Sequence, residues 1–173
     1  MCEQNIPSAI EKGSLGEESL NLWFQENCVS YLPIKQSADG FAQAFKDRIK
    51  RPDYLVLLES IGMIAVDAKN CTLYHGQFTL AIAELERAIA FELSTRLAFW
   101  FAFLFRGKGE YVWYWINAVR ALERGAAKTN GHNGEDFLQI GLNNFVPIRT
   151  QHDLGRLITR RLTPAPNIQF NCG

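Results

Sequence analysis

The chain has no cysteine pair spaced as CxxC, no apolar run long enough for a membrane and no surplus of charge of either sign. Each absence removes a class of protein. The four cysteines, Cys2, Cys28, Cys71 and Cys172, match no zinc spacing. With 47% hydrophobic residues the chain can build a core without a disulfide framework, so reduced thiols in a cytoplasmic setting are expected. The longest apolar run, LAFWFAFLF at 97–105, is nine residues, whereas a membrane helix needs about 20. The opening MCEQNIPSAIEKGS lacks the apolar stretch of a signal peptide. A soluble protein with no membrane partner is the expectation. Eighteen basic residues against eighteen acidic ones exert no overall pull on nucleic acid, so any such contact needs a local basic patch. Internal repeats and low-complexity tracts are also missing.

What is present is a globular mix, 21% charged, in 173 residues, a length that suits one domain. Ser14 followed by Glu17 has the spacing of a capping box. Leu15, Leu22, Trp23, Val29 and Leu32 recur at roughly helical spacing, so a helix is expected over 15–30, stopped before Pro33. Residues 33–50 are ambiguous: YLPIKQS reads as a short strand and GFAQAFKDRIK as a short amphipathic stretch. DYLVLL and GMIAVDAK are rich in strand formers and are joined by the turn signal ESIG, which predicts a hairpin. CTLYHGQFTL follows as irregular chain ending in an extended stretch. AIAELERAIAFELS predicts a helix that buries Ile82, Leu85, Ile89 and Leu93 and leaves Glu84, Glu86, Arg87 and Glu92 mostly solvated. RLAFWFAFLF and YVWYWINAVRAL predict two strands buried on both faces. Residues 123–136 read as a polar, glycine-rich surface loop, FLQIGLNNFVPI as a last short strand, and TQHDLGRLITRRL as a terminal helix with Thr150 as its cap. The tail TPAPNIQFNCG is expected to be loose. The order predicts an α/β layered domain rather than a bundle or a sandwich.

Asp53, Asp67 and Lys69 stand out because two otherwise apolar strands carry them. Side chains two apart in a strand share a face, so Asp67 and Lys69 point one way while Ile64, Val66 and Ala68 point the other. Asp53 meets Asp67 only if opposed residue numbers sum to 120. A three-residue loop, Glu59, Ser60 and Ile61, with a left-handed Gly62 provides that sum. An even loop puts the two carboxylates on opposite faces. Carboxylates brought together would repel, and magnesium or manganese resolves that through oxygen ligands. Lys69 suits a phosphate or a bound water better than a metal.

RPD at 51–53 followed by IAVDAK at 64–69 resembles the signature of the PD-(D/E)XK nuclease superfamily, which includes restriction endonucleases and archaeal-type Holliday junction resolvases. KGSLGE at 12–17 is similar to the start of its first helix. The resemblance implies a restriction endonuclease-like three-layer core, a central mixed β-sheet flanked by helices in the order αβββαβ, over about 12–122, with an appendage over about 123–173. It implies Asp53 and Asp67 as metal ligands together with the carbonyl of Ala68, Lys69 as the catalytic lysine, and Glu17 as an accessory ligand or water-positioning residue. The implied cofactor is Mg2+ or Mn2+. The implied partner is DNA, with RNA second, and a homodimer where two strands are cut. Asp67 stands where the family more often has glutamate. Two departures remain: the strand before Asp53 is faint, and GQFTL replaces the glutamine-tyrosine motif of the exonuclease branch. Gln77 is kept as a residue at the edge of the site.

Plainer readings stand beside these. Asp53 after Pro52 also fits a turn that opens a strand. Asp67 and Lys69 also fit an ionic pair guarding a sheet edge. Glu17 also fits a simple cap, with Glu18 and Glu26 as its rivals for the accessory position. Trp100, Trp113, Tyr114 and Trp115 could stack on bases, but their apolar strands favour the core. Lys50 and Arg51, with Lys46 and Arg48, form the best local patch for a phosphate backbone, and a solvated face explains them equally. Arg156, Arg160 and Arg161 form a second basic cluster. His75, His132 and His152 show no ligand spacing, and Cys71 reads as a packing residue. The expected activity is divalent-metal-dependent hydrolysis of phosphodiester bonds. The alternatives are a catalytically silent binding module on the same fold and an unrelated α/β protein.

Overall fold

Phe99–Arg106 carries large apolar side chains on both sides of the strand, and such a strand is stable only if both faces of its sheet are covered. The computed structural model, which describes residues 9–34, 48–59, 62–107, 111–131 and 133–159, meets that demand. In chain order the elements are helix α1 (Ala9–Glu26), strands β1 (Ser30–Pro33), β2 (Tyr54–Leu58), β3 (Gly62–Lys69) and β4 (Gln77–Ala81), helix α2 (Ile82–Thr95), strands β5 (Phe99–Arg106) and β6 (Tyr111–Asn117), helix α3 (Ala118–Arg124), strands β7 (Ala126–Thr129), β8 (Asp136–Gly141) and β9 (Val146–Ile148), and helix α4 (Arg156–Thr159) after a 3-10 turn at Gln151–Gly155. The central sheet runs β1-β2-β3-β5-β6-β9, and a smaller one runs β4-β8-β7. β3 and β5 are parallel and the other neighbours antiparallel, so the central sheet is mixed.

The sheet divides the core in two. Tyr54, Val56, Leu58, Ile64, Val66 and Ala68 share one face with Trp100, Trp113 and Trp115, and pack on Leu20 and Phe24 of α1. Ala65, Phe99, Phe101 and Phe103 look the other way, onto Leu85, Ala88 and Phe91 of α2 and onto Phe78 and Ile140 of the smaller sheet. Each fully buried phenylalanine contributes about 1.5–3 kcal/mol relative to exposure. The expected mixed α/β fold with helices flanking a central sheet is the fold observed. Trp100, Trp113 and Trp115 belong to its core, which removes them as base-stacking residues. Cys71 packs against the α2-side core, as expected.

The hairpin register is the one the two aspartates require. Leu58 pairs with Gly62 and Tyr54 with Val66, so opposed numbers sum to 120. Gly62 takes φ +105°, a backbone region closed to most other residues. The faint strand before Asp53 is β1, antiparallel to β2 on the sheet edge.

Several local expectations fail for tertiary reasons. α1 already runs at Ala9 and ends at Glu26, so Ser14 lies inside the helix and does not cap it. The stripe of α2 is turned: Ala88 and Phe91 are buried, while Leu93 is 65% exposed. Glu84 and Glu92 are not mostly solvated; Glu92 accepts hydrogen bonds from Phe99 N and Asn117 Nδ2. YVWYWINAVRAL is a strand only to Asn117, whose side chain caps α3 by accepting from Val119 N and Arg120 N. The expected loop at 123–136 holds β7, and the expected single strand at 137–148 is split between β8 and β9. Residues after 122 are thus more than an appendage: β9 pairs with β6, and Leu154 and Leu157 are buried in the core. Most of GFAQAFKDRIK, the tail after 159, Cys2, Cys172, Lys46, His132, Arg160 and Arg161 lie outside the described residues. No helix among the described residues is long and apolar enough to cross a membrane.

Gly62→Ala is expected to lower stability by about 1–2 kcal/mol through backbone strain alone, because nothing lies within 4 Å of the added methyl. Gly131→Ala, equally open but without a positive φ, is the control and should change little. Urea unfolding of both variants checks this; equal losses would refute the assigned role of Gly62.

Candidate functional site

The carboxyl end of β3 gathers polar groups from four parts of the chain. Asp67 and Lys69 alternate with Ala68 along the strand and face α2, alongside Phe101 and Phe103 of β5. Lys69 Nζ lies 5.8 Å from the centre of the Phe101 ring. Asp53 precedes β2. Its N–H donates to Val66 O at 2.9 Å, and its Oδ2 accepts from Ala68 N at 2.8 Å. That bond ties the Asp53 side chain to the backbone beside Asp67.

α1 supplies Glu17. A methyl at Gly16 would come within 3.1 Å of Asn70 Cβ, so this glycine lets the helix press against the end of β3. Tyr54 Oη donates to Glu17 O at 2.9 Å and ties the same turn to β2.

Asp67 is only 1% exposed, and three charged groups form a ring with it. Lys69 Nζ is 2.6 Å from Asp67 Oδ2 and 2.5 Å from Glu84 Oε1. Lys50 Nζ is 2.8 Å from Asp67 Oδ1 and 2.5 Å from the same Glu84 Oε1. Each lysine touches both acids, which makes a closed ionic ring. Glu84 lies in the first turn of α2, where the helix dipole favours a carboxylate.

Burial and charge together set the protonation of the site. Burial, then the charge of Asp67, raise Asp53 from 3.8 to about 7 against the hydrogen bond from Ala68. Burial and Asp67 also raise Glu17, against Lys50 and Lys69. Burial works against the Lys69 ammonium, but Asp67 and Glu84 outweigh it and hold the proton more tightly than on an ordinary lysine. Lys69 is therefore suited to donating hydrogen bonds and presenting positive charge rather than to taking a proton from water. Burial would raise Glu84, but Lys69 and Lys50 pull it below its ordinary value.

Carboxylate oxygens are the donors that a hard dication takes. Two ammoniums face four carboxyls, which leaves two negative charges when all are ionised. Burial first, and then the negative charge of Asp67, push Asp53 and Glu17 toward holding their protons more tightly. Asp67 Oδ2 is buried, with the Lys69 ammonium 2.6 Å away. Magnesium and manganese take such oxygen ligands and keep several waters. A closed cage is a poor fit: among the described residues no three acidic, histidine or cysteine side chains form a ready ligand set. The residues that would hold the ion are Asp53 and Asp67, with Glu17 at the side.

Of the residues singled out from sequence, Glu17, Asp53, Asp67 and Lys69 are brought together, with Ala68 between the last two. Lys50 joins them as an ion-pair partner of Asp67 and Glu84, not as a free phosphate contact. Arg51 is half-buried beside them in sequence. Gln77 opens β4 in the smaller sheet, opposite Gly141, and its backbone is bonded to Tyr74. Glu18 is exposed, and Glu26 lies at the far end of α1. Glu84 was missed. Its position in the first turn of a helix was legible, but nothing local signalled a meeting with Lys69.

No protein-family model and no curated protein matches the chain. Among solved structures it is similar to Hjc, a Holliday junction resolvase of Archaeoglobus fulgidus, an archaeal hyperthermophile, at 11% identity and a TM-score of 0.45, over 77% of this chain and 91% of that one. A likeness of this size transfers no residue role.

Asp53 gives a pH-dependent stability with a definite sign. Its folded pKa of about 7 lies above the ordinary 3.8, so the folded state holds a proton that the unfolded chain releases between those values. Stability falls as pH rises through that window and levels off above it. Asp53→Asn removes the charge and keeps an oxygen for Ala68 N. In chelator, it should match the wild type near pH 4, gain on it up to about pH 7 and keep a constant advantage beyond. Urea unfolding across pH 4–8 measures the gap, and a pH-independent difference would contradict the assignment.

Proposed function

We propose that this protein is a divalent-metal-dependent phosphodiesterase of PD-(D/E)XK type acting on DNA. One observation carries the reading: a hairpin register summing to 120 sets Asp53 beside Asp67, with Lys69 two residues on and Glu17 delivered by α1. A carboxylate pair with an adjacent ammonium at the end of a strand suits attack on a phosphodiester.

In this reading Asp53, Asp67 and the Ala68 carbonyl hold Mg2+ or Mn2+, with Glu17 as accessory ligand or water-positioning group. The ion, when bound, supplies Lewis acidity toward the phosphate and lowers the pKa of its water. Lys69 presents a fixed positive charge toward the phosphate oxygens and the attacking water, and its proton stays in place. Asp67 and Glu84 fix the direction of that ammonium from two sides. Arg51 and Gln77 are the proposed substrate contacts at the margin. DNA is the substrate and a homodimer the active unit where two strands are cut; a cytoplasmic setting goes with both.

A second reading, a catalytically silent binding module on the same fold, is favoured by one contact. The Lys50 ammonium holds Asp67 Oδ1 at 2.8 Å, where a metal ligand would have to be free.

Manganese titration by calorimetry should give one binding event that Asp67→Ala abolishes. Plasmid and four-way branched DNA should be cut with Mn2+, and Lys69→Ala should slow cutting by about 10²–10³-fold. Metal and DNA binding without cleavage would establish the silent module. Absence of Asp67-dependent metal binding would remove the nuclease reading and leave the silent module.

A further inference from the structure

Lys50 and Glu84 stand outside the residue pattern of the resemblance, yet they complete the ionic ring around Asp67. They come from separate elements: Lys50 from the segment before β2, Glu84 from α2. Lys50 N donates to Arg87 O at 2.9 Å, so the lysine backbone is fastened to the same helix that carries Glu84. Its side chain is 21% exposed, so a path out to solvent exists. Asp67, by contrast, is almost fully buried.

We propose that Lys50 and Glu84 are a charge-setting pair for the cation site: Lys50 competes with the dication for Asp67 Oδ1, and Glu84 retains both ammoniums when Asp67 turns to the metal. This rests on the reading of Asp67 as a metal ligand. Both residues act through Asp67 and Lys69, so both are positioning residues. The direction of each effect follows from charge. Loss of Lys50 removes the competitor and leaves the site one charge more negative. Loss of Glu84 leaves two ammoniums sharing one buried carboxylate and makes the site one charge more positive. A scaffold role for either residue predicts damage in the same direction for both.

The experiment is manganese calorimetry on the wild type, Lys50→Met, Glu84→Gln and the double variant, with Asp67→Asn as the control for site-specific heat. Lys50→Met is expected to tighten Mn2+ binding about tenfold, Glu84→Gln to weaken it about tenfold, and the double variant to return close to the wild type. Thermal melting in chelator shows which variants are folded. If Glu84→Gln does not fold, Lys50→Met and Lys50→Gln decide, since structural damage does not tighten a metal site. Weaker or unchanged binding on loss of Lys50 overturns the proposal and leaves the proposed function standing. A wild type without Asp67-dependent Mn2+ binding overturns both.

Discussion

Asp67 carries a carboxylate into the middle of a sheet, where water reaches 1% of its surface. An ion so placed costs several kcal/mol unless charges and hydrogen bonds replace its hydration. The surroundings follow from that cost. Lys69 lies two residues on and shares its face, Lys50 arrives from the segment before β2, and Glu84 balances both ammoniums from α2. Burial, and then the charge of Asp67, raise Asp53 to about 7, and Lys50 only partly offsets them. An assembly tuned only for stability would be less costly with apolar residues here. The excess of negative charge is the feature on which the proposed cation site rests.

The cluster is held by ordinary packing devices. The Ala68 N–H fixes Asp53, Tyr54 Oη fixes the turn of α1 that bears Glu17, and Gly16 allows that helix to approach the strand end. Phe101 and Phe103 form the apolar floor under Asp67 and Lys69. A low-dielectric floor strengthens every charge interaction above it. The two cores thus do more than stabilise the sheet: they shield the end of β3 that carries Asp67 from water.

The elements with strong periodic or compositional signals were legible: the β2–β3 hairpin, α2, and β5 with its two buried faces. The failures share one cause. Where an element's partner is distant in sequence, its edges and exposure are set by that partner. β7 looked like loop because AAKT has no apolar face, yet β8 lends it a ladder. Leu93 looked buried by spacing, yet α2 turns Ala88 and Phe91 to the core. Asn117 ends β6 because its side chain caps α3, a local signal hidden inside an apolar run.

For the site, sequence by itself determined that Asp67 and Lys69 share a face, since strand alternation admits nothing else, and that a three-residue loop would bring Asp53 to them. Tertiary structure alone decided that this register is adopted, that α1 brings Glu17 to the same end, and that Lys50 and Glu84 close a ring around Asp67. The reason is range. Alternation and turn chemistry act between near neighbours, whereas ion pairs such as Lys69–Glu84 and Lys50–Asp67 join residues 15 and more positions apart and exist only once the sheet has placed them.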